Sequence, residues 1–277
     1  VLLRVTLLAA VIALVLVLWS VWWEPSSLGV VERTIAVHPW HVEHAGLKIA
    51  VLSDLHVGAP HRDLGRLREL VTVTNEQKPD FTVLLGDFVI QGVKGGTFVP
   101  PESIARELSG LTAPLGVVAV LGNHDWWFDG ERVRRALTAQ GIKVLVDANL
   151  KLTYKDHSFW LMGLDDLWTR GNHLQSTIAA IRDNEPILAL SHNPDIFPDI
   201  PQRVSLTLAG HTHGGQVNLP LIGRPVVPSK FGQRFAYGLV EERGRKLFVT
   251  GGIGTSIIPV RFRVKPEVVV LSLIPEQ

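Results

Sequence analysis

The sequence predicts an α/β fold, a four-layer α/β/β/α sandwich of two mixed sheets, preceded by an N-terminal transmembrane helix. Three observations carry this reading. Short apolar runs at 49–52, 81–85, 117–121, 187–190 and 206–209 read as strands buried on both faces. In the first half they alternate with helical patterns as β-α-β-α-β, which implies parallel pairing with right-handed crossovers. A second β-rich half follows, and two β-rich halves flanked by helices suggest two packed sheets.

The elements follow in order. Residues 5–23 carry only Thr6 and Ser20 as polar side chains, and at about 1.5 Å rise per residue such a helix crosses roughly 30 Å of hydrocarbon. The run exceeds the apolar core of a cleaved leader, and Trp22-Trp23-Glu24-Pro25 lacks a small-x-small cleavage site. An uncleaved single-pass anchor over 1–24 is therefore expected. Trp19, Trp22 and Trp23 suit an interfacial belt but do not orient the helix, and Arg4 before it against Arg33 and Lys48 after it gives little charge asymmetry. Residues 25–46 read as a linker and a leading edge strand, marked by Pro25-Ser26-Ser27 and by alternation at 34–37.

The catalytic domain is expected over 47–277. Helices are predicted at 63–77, where Leu64, Leu67, Leu70 and Val71 share a side, and at 102–111 and 131–140. Strands at 143–146, 151–154 and 159–164 come next, then a helix at 174–182 and the strands at 187 and 206. Segments 235–240, 246–250 and 267–273 look antiparallel, with Glu242-Arg243-Gly244-Arg245 as a hairpin turn.

Composition narrows the function. With 46% hydrophobic residues the chain can bury a full core. Its 27 basic and 26 acidic residues nearly cancel, and no basic run with interleaved aromatics occurs, so nucleic-acid binding is not expected. Cysteine is absent, which excludes disulfides, thiolate metal sites and cysteine nucleophiles.

Each of the five buried runs ends on side chains that ligate metals. They are Asp54-x-His56, Gly86-Asp87, Gly122-Asn123-His124-Asp125, Ser191-His192 and Gly210-His211-Thr212-His213. Imidazole nitrogens with Asp and Asn oxygens, and no thiolate, select Mn, Fe or Zn. The chain therefore reads as a metallohydrolase. Other polar residues fit blander roles. His38, His41 and His44, interrupted by Pro39, read as a solvated strand edge, and Asp165-Asp166 as a turn. His61 is balanced between substrate contact and loop surface. Arg224, Lys230, Arg234 and Arg261 read as solvated loop charges in preference to phosphate contacts.

The five motifs, in this order, resemble the calcineurin-like metallophosphoesterase superfamily. The membrane helix, Gly214-Gly215-Gln216 and the tail Gly252-Ile253-Gly254-Thr255-Ser256 with Pro259-x-Arg261 resemble its bacterial membrane-anchored phosphodiesterase branch. The resemblance implies two divalent ions, Mn in the first place with Fe or Zn as alternatives. Asp54, His56 and His213 would hold one, Asn123, His192 and His211 the other, and Asp87 would bridge them. A water between the ions would attack phosphorus in line. His124 would carry a proton to the leaving oxygen, and Asp125 would orient its ring.

The expected function is hydrolysis of a phosphodiester or pyrophosphate bond in a lipid-linked or envelope substrate, with the domain outside the inner membrane. That orientation rests on the resemblance and on the short N-terminal segment with Arg4. One alternative is a cytoplasm-facing hydrolase of a nucleotide-lipid pyrophosphate, which topology would distinguish. Another is a non-catalytic, metal-dependent envelope-binding protein, against which the His124-Asp125 pair argues. Oligomeric state is not legible.

Overall fold

Twelve strands form two mixed six-stranded sheets in the computed structural model, which describes residues 1–171 and 173–276. The first sheet contains β1 (Gly29–Val37), β2 (Leu47–Leu52), β3 (Phe81–Leu84), β4 (Val117–Ala119), β5 (Lys143–Val144) and β12 (Glu267–Pro275), ordered β1-β12-β2-β3-β4-β5. The second contains β6 (Ala148–Tyr154), β7 (His157–Gly163), β8 (Ile187–Leu190), β9 (Val204–Ala209), β10 (Gly238–Glu242) and β11 (Arg245–Val249), ordered β10-β11-β9-β8-β7-β6.

The two-residue side-chain period explains why these strands are apolar throughout. Ile49, Val51, Phe81, Val83, Val118 and Val120 point into the space between the sheets, where they meet Phe159, Leu161, Leu188, Leu190, Leu206 and Leu208. The alternate residues Leu52, Leu84 and Ala119 point outward, onto α3 (Leu64–Glu76), α4 (Pro101–Leu108) and α5 (Asn123–Ala139). On the far side Ile187, Ala189 and Ala209 pack under α6 (Leu174–Ala179), Phe197 and Phe235. Four layers result, as predicted. Truncating a side chain such as Phe159, buried between the sheets, should cost about 3–5 kcal/mol.

Local signals account for the element ends. The Asp63 side chain accepts from the Arg66 N–H at 2.9 Å and caps α3. Lys155 and Asp156 both adopt positive φ, 49° and 65°, in the two-residue turn between β6 and β7. Arg243 and Gly244, at 51° and 72°, repeat this turn between β10 and β11.

Three expectations need correction. The last strand does not extend the C-terminal hairpin: β12 returns to the first sheet, parallel to β1 and antiparallel to β2. Phe235 lies in a 3₁₀ turn before β10, not in a strand. The third helix begins at Asn123, not at residue 131, because the Asn-His-Asp motif itself forms its first turn; Asp129, at φ −172°, interrupts it.

The N-terminal helix is continuous over Leu2–Ser26. It comprises α1 (Leu2–Leu18), a π-helical turn at Trp19–Trp23 and α2 (Glu24–Ser26). Its side chains are exposed as far as Trp19, and it is apolar and long enough to cross a membrane. Its C-terminal end is built into the domain. Glu24 is buried; one oxygen accepts from the Val264 N–H at 2.6 Å and the other from the Trp19 indole N–H at 2.8 Å. The Arg261 N–H donates to Ser20 O at 2.9 Å. The Arg62 guanidinium donates to Pro25 O and Ser27 O, and the Trp22 and His61 rings meet edge to face. Within residues 25–46 the expected edge strand is present: β1 pairs with β12 along its whole length, at the edge of the first sheet.

Candidate metal centre

Within each sheet the strands that lead to the motifs run parallel: β2, β3 and β4 in the first, β8 and β9 in the second. Their C-terminal ends therefore face one rim, where the chain must turn sharply to aim side chains inward. Asp54, His56, Asp87, His211 and His213 all adopt left-handed φ, between 41° and 68°. Such strain costs on the order of 1–3 kcal/mol per residue and persists only where surrounding contacts over-determine it.

Backbone hydrogen bonds supply those contacts. Asp54 N–H donates to Gly86 O and His56 N–H to Asp87 O, both at 3.0 Å. Glycines allow the loops to touch. A Cβ on Gly122 would lie 2.2 Å from Asp87 Oδ1, and one on Gly210 would lie 1.9 Å from Ser53 Oγ.

The side chains converge as two groups, with Asp87 in one and 3.5 Å from His56 of the other. Ligand atoms of Asp54, His56 and His213 lie within 4.8 Å of one another, as do those of Asp87, His192 and His211. His56 Nε2 stands 3.1 Å from His213 Nε2 and 3.5 Å from Asp87 Oδ2. His192 Nε2 stands 3.2 Å from the same Asp87 oxygen and 3.1 Å from His211 Nδ1. His213 Nε2 is 3.4 Å from Asp54 Oδ1. His124 also comes within ligand distance of His56 and Asp87.

The donor chemistry fits divalent ions. Asn123 Oδ1 is buried without a hydrogen-bond partner, a state that is costly unless something else satisfies it. Burial pushes His56 and His213 down to about 3, so both rings are neutral near pH 7 with a lone pair to offer. Burial also opposes charge on His192, but the adjacent Asp87 carboxylate overrides it and pushes the ring up to about 10. His192 Nδ1 lies 2.7 Å from Leu85 O, which fixes this N–H and leaves Nε2 facing Asp87.

Asp125 does not orient the His124 ring. Its Oδ2 accepts from the N–H groups of Asp87 and Gly122, at 2.8 and 3.0 Å. Its Oδ1 accepts from Phe88 and Val89, at 2.9 and 3.3 Å. His124 Nδ1 has no partner. Asp125 thus braces the Asp87 loop against the start of α5. Its neighbour, His124, donates its own N–H to Asp87 Oδ1 at 2.9 Å.

Above the cluster opens a cavity of about 660 Å³, reaching Asp87, Asn123, His124, His211 and His213 at its base, with walls that include Trp127, Trp168, Val226, Ile257 and Ile258. Trp168 stands edge-on to His211, with ring centroids 4.3 Å apart. It is positioned by Asp166, whose Oδ2 accepts from the Trp168 and Thr169 N–H groups and the Thr169 hydroxyl. The Asp165-Asp166 turn is legible in the sequence, but the aromatic wall it carries is not.

The calcineurin-like phosphoesterase family matches residues 47–215, the span that contains all seven ligand candidates. The chain belongs to that family. The metallophosphoesterase YkuE of Bacillus subtilis is 31% identical over 255 residues, 90% of this chain and 87% of the relative. The phosphodiesterase YaeI of Escherichia coli is 32% identical over 236 residues, 83% of each chain. A zebrafish (Danio rerio) transmembrane protein with a metallophosphoesterase domain is 29% identical over 280 residues, 96% of this chain and 62% of the relative. This calcineurin-like phosphoesterase is accordingly a metal-dependent hydrolase whose dinuclear site is the buried His/Asp cluster.

The remaining polar residues of this phosphoesterase divide differently from expectation. Arg261 is neither a solvated charge nor a phosphate contact: it is fully buried and donates to Gly251 O at 2.9 Å, Val264 O at 3.1 Å and Gly254 O. It thereby clasps the tail whose Gly254 N–H reaches Asp54 O at 2.6 Å. Arg224 donates to Gly214 O, and Arg234 pairs with Glu242. His61 abuts the N-terminal helix through Val21 O at 3.2 Å and Trp22. His44 is buried beside Trp40 and Phe159 instead of solvated. His41 meets Glu185 at 2.7 Å, at the rim opposite the metal centre.

Proposed function

We propose that this phosphoesterase is a membrane-anchored phosphodiesterase of the bacterial branch, acting outside the inner membrane on a phosphodiester or pyrophosphate bond of a lipid-linked or envelope substrate. Manganese is the ion best suited to its His, Asp and Asn donors, with Fe or Zn as alternatives. The observation that carries the diester reading is the cavity. A monoester needs room for one organic substituent, whereas this cavity of about 660 Å³ extends from the cluster along walls that include Trp127, Val226 and Ile257. The resemblance to the phosphodiesterase YaeI supports the same reading. The anchor reading is supported by the helix end: cleavage of a leader there would strip the domain of Ser20 O and the Glu24 carboxylate, acceptors for Arg261 and Val264.

When bound, two divalent ions would neutralise phosphoryl oxygens and acidify a water for in-line attack. Asp54, His56 and His213 would hold one ion, Asn123, His192 and His211 the other, and Asp87 both. Asp125 keeps Asp87 in register through its four backbone N–H contacts. His124, lining the cavity with its backbone pinned to Asp87, delivers a proton to the leaving oxygen. Trp127 stands beside its ring, tilted by 60° with centroids 4.9 Å apart.

Two experiments test this reading. Manganese-loaded full-length protein in detergent should hydrolyse bis(p-nitrophenyl) phosphate with a higher kcat/KM than p-nitrophenyl phosphate; the reverse order contradicts the diester assignment. Protease added to cells with a permeabilised outer membrane, or to protoplasts where none exists, should digest the domain. Protection until the inner membrane is opened would reverse the orientation and favour the nucleotide-lipid alternative.

A further inference from the structure

The cavity's apolar wall and the membrane helix belong to one connected surface. The tail carrying Ile257, Ile258 and Val260 reaches the helix at Arg261, whose N–H donates to Ser20 O. A second loop joins it: Val217 bridges to Phe262, the Gln216 amide donates to Ile258 O at 3.1 Å, and the Ser256 N–H donates to Gln216 Oε1 at 2.6 Å. Together they make a flap beside the last turns of the helix. At no more than about 3.4 Å per residue, Ile257 and Ile258 lie within roughly 14 Å of the Ser20 contact.

This flap is apolar where it should be polar. Ile257 is 70% exposed, Ile258 55%, Val226 73% and Leu221 fully exposed. Trp22 and Trp23, on the adjoining helix turns, are 67% and 62% exposed. Contiguous apolar exposure of this kind marks a binding or membrane surface, and the tryptophans stand where the apolar helix ends, the level of a membrane interface. The helix fixes which of these the flap meets, since a bilayer around residues 2–18 ends beside it.

We infer that the flap sits in the bilayer interface and that the substrate is an amphipathic phosphodiester. Its acyl chain passes along Val226, Ile257, Ile258 and Val260 while its phosphate reaches Asp87, Asn123 and His124. The inference rests on the anchored-phosphodiesterase reading and gives the substrate a route: entry sideways from the membrane, without full transfer into water.

Two measurements on the full chain in phosphatidylethanolamine/phosphatidylglycerol nanodiscs test it. The chain has no cysteine, so Ile257→Cys and, at the opposite rim, Lys155→Cys each accept a single nitroxide. The label at 257 should collide with oxygen in preference to an aqueous nickel chelate, and that at 155 should show the opposite preference. A label at 257 as accessible to nickel as that at 155 overturns the placement of the flap. Next, p-nitrophenyl methyl and dodecyl phosphodiesters are compared. The dodecyl ester should have the higher kcat/KM by about tenfold or more, as burial of several methylenes implies. Ile257→Ser/Ile258→Ser should remove most of that ratio. A ratio near one in the parent, or one unchanged in the double variant, overturns the acyl route. If neither ester is hydrolysed, the phosphodiesterase reading falls and the acyl route with it, while the nitroxide result still decides where the flap lies.

Discussion

Replacing Asp125 by Asn separates bracing from ring orientation. The carboxylate accepts four backbone N–H groups, two on each oxygen. An amide of the same shape keeps one oxygen and turns an NH₂ towards the other pair, so two buried donors lose their acceptor. At about 1–3 kcal/mol for each unsatisfied buried donor, the variant should lose roughly 2–6 kcal/mol of stability. Charge works partly in the other direction. Burial first, and the Asp87 charge second, push the Asp125 carboxyl up to about 7. Metal-free protein above that pH thus holds two ionised carboxylates close together, and Asn relieves the conflict. Bound ions would neutralise Asp87 and remove this relief, so the loss should be larger at saturating manganese. Denaturant unfolding of parent and Asp125→Asn, with and without the metal, measures it. If the manganese-loaded variant unfolds within about 0.5 kcal/mol of the parent yet turns over slowly, Asp125 acts on chemistry and the bracing account is wrong.

Three other outcomes are expected. Asp87→Asn should loosen both ions and abolish turnover, whereas Asn123→Ala should weaken one; elemental analysis after gel filtration checks this, and equal loss of one ion in both would contradict a bridging Asp87. His124→Ala should retain both ions while turnover falls about 10²- to 10⁴-fold, less for esters with good leaving groups; metal content falling in step with activity would make His124 a ligand. Because Asp87 holds the metal-free His192 protonated up to about pH 10, and a metal ligand must be neutral, binding at this site should release a proton near pH 8. Affinity should therefore rise with pH between 7 and 10, and titration calorimetry in buffers of different ionisation enthalpy should show the release; no buffer dependence would contradict it.

Much of the site can be read in the sequence because each ligand follows a buried strand. A short run that is apolar on both faces belongs inside a sheet, and the Asp or His that ends it is thereby carried to the rim. The first turn of α5 is harder to see: Trp126-Trp127-Phe128 breaks helical periodicity, and Asp129 interrupts the helix soon afterwards. The return of β12 to the first sheet depends on partners far away in the chain. Docking of the N-terminal apolar helix hinges on Glu24, a charged residue at the end of an apolar run that ordinarily marks the exit to water and here accepts from Val264 inside the fold. Arg261 departs from its expected place in solvent for a similar reason, since a buried guanidinium that donates only to carbonyls leaves no trace in local composition. Chemistry carried by residue type is thus visible, while chemistry carried by long-range backbone contacts is not.

The most direct test of the central claim is metal stoichiometry coupled to turnover. Full-length protein stripped by chelator and titrated with manganese should bind two ions per chain, with hydrolysis of bis(p-nitrophenyl) phosphate appearing in full only when the second site fills. Saturation of activity at one ion per chain, or hydrolysis that survives complete metal removal, would contradict a dinuclear centre built on Asp87.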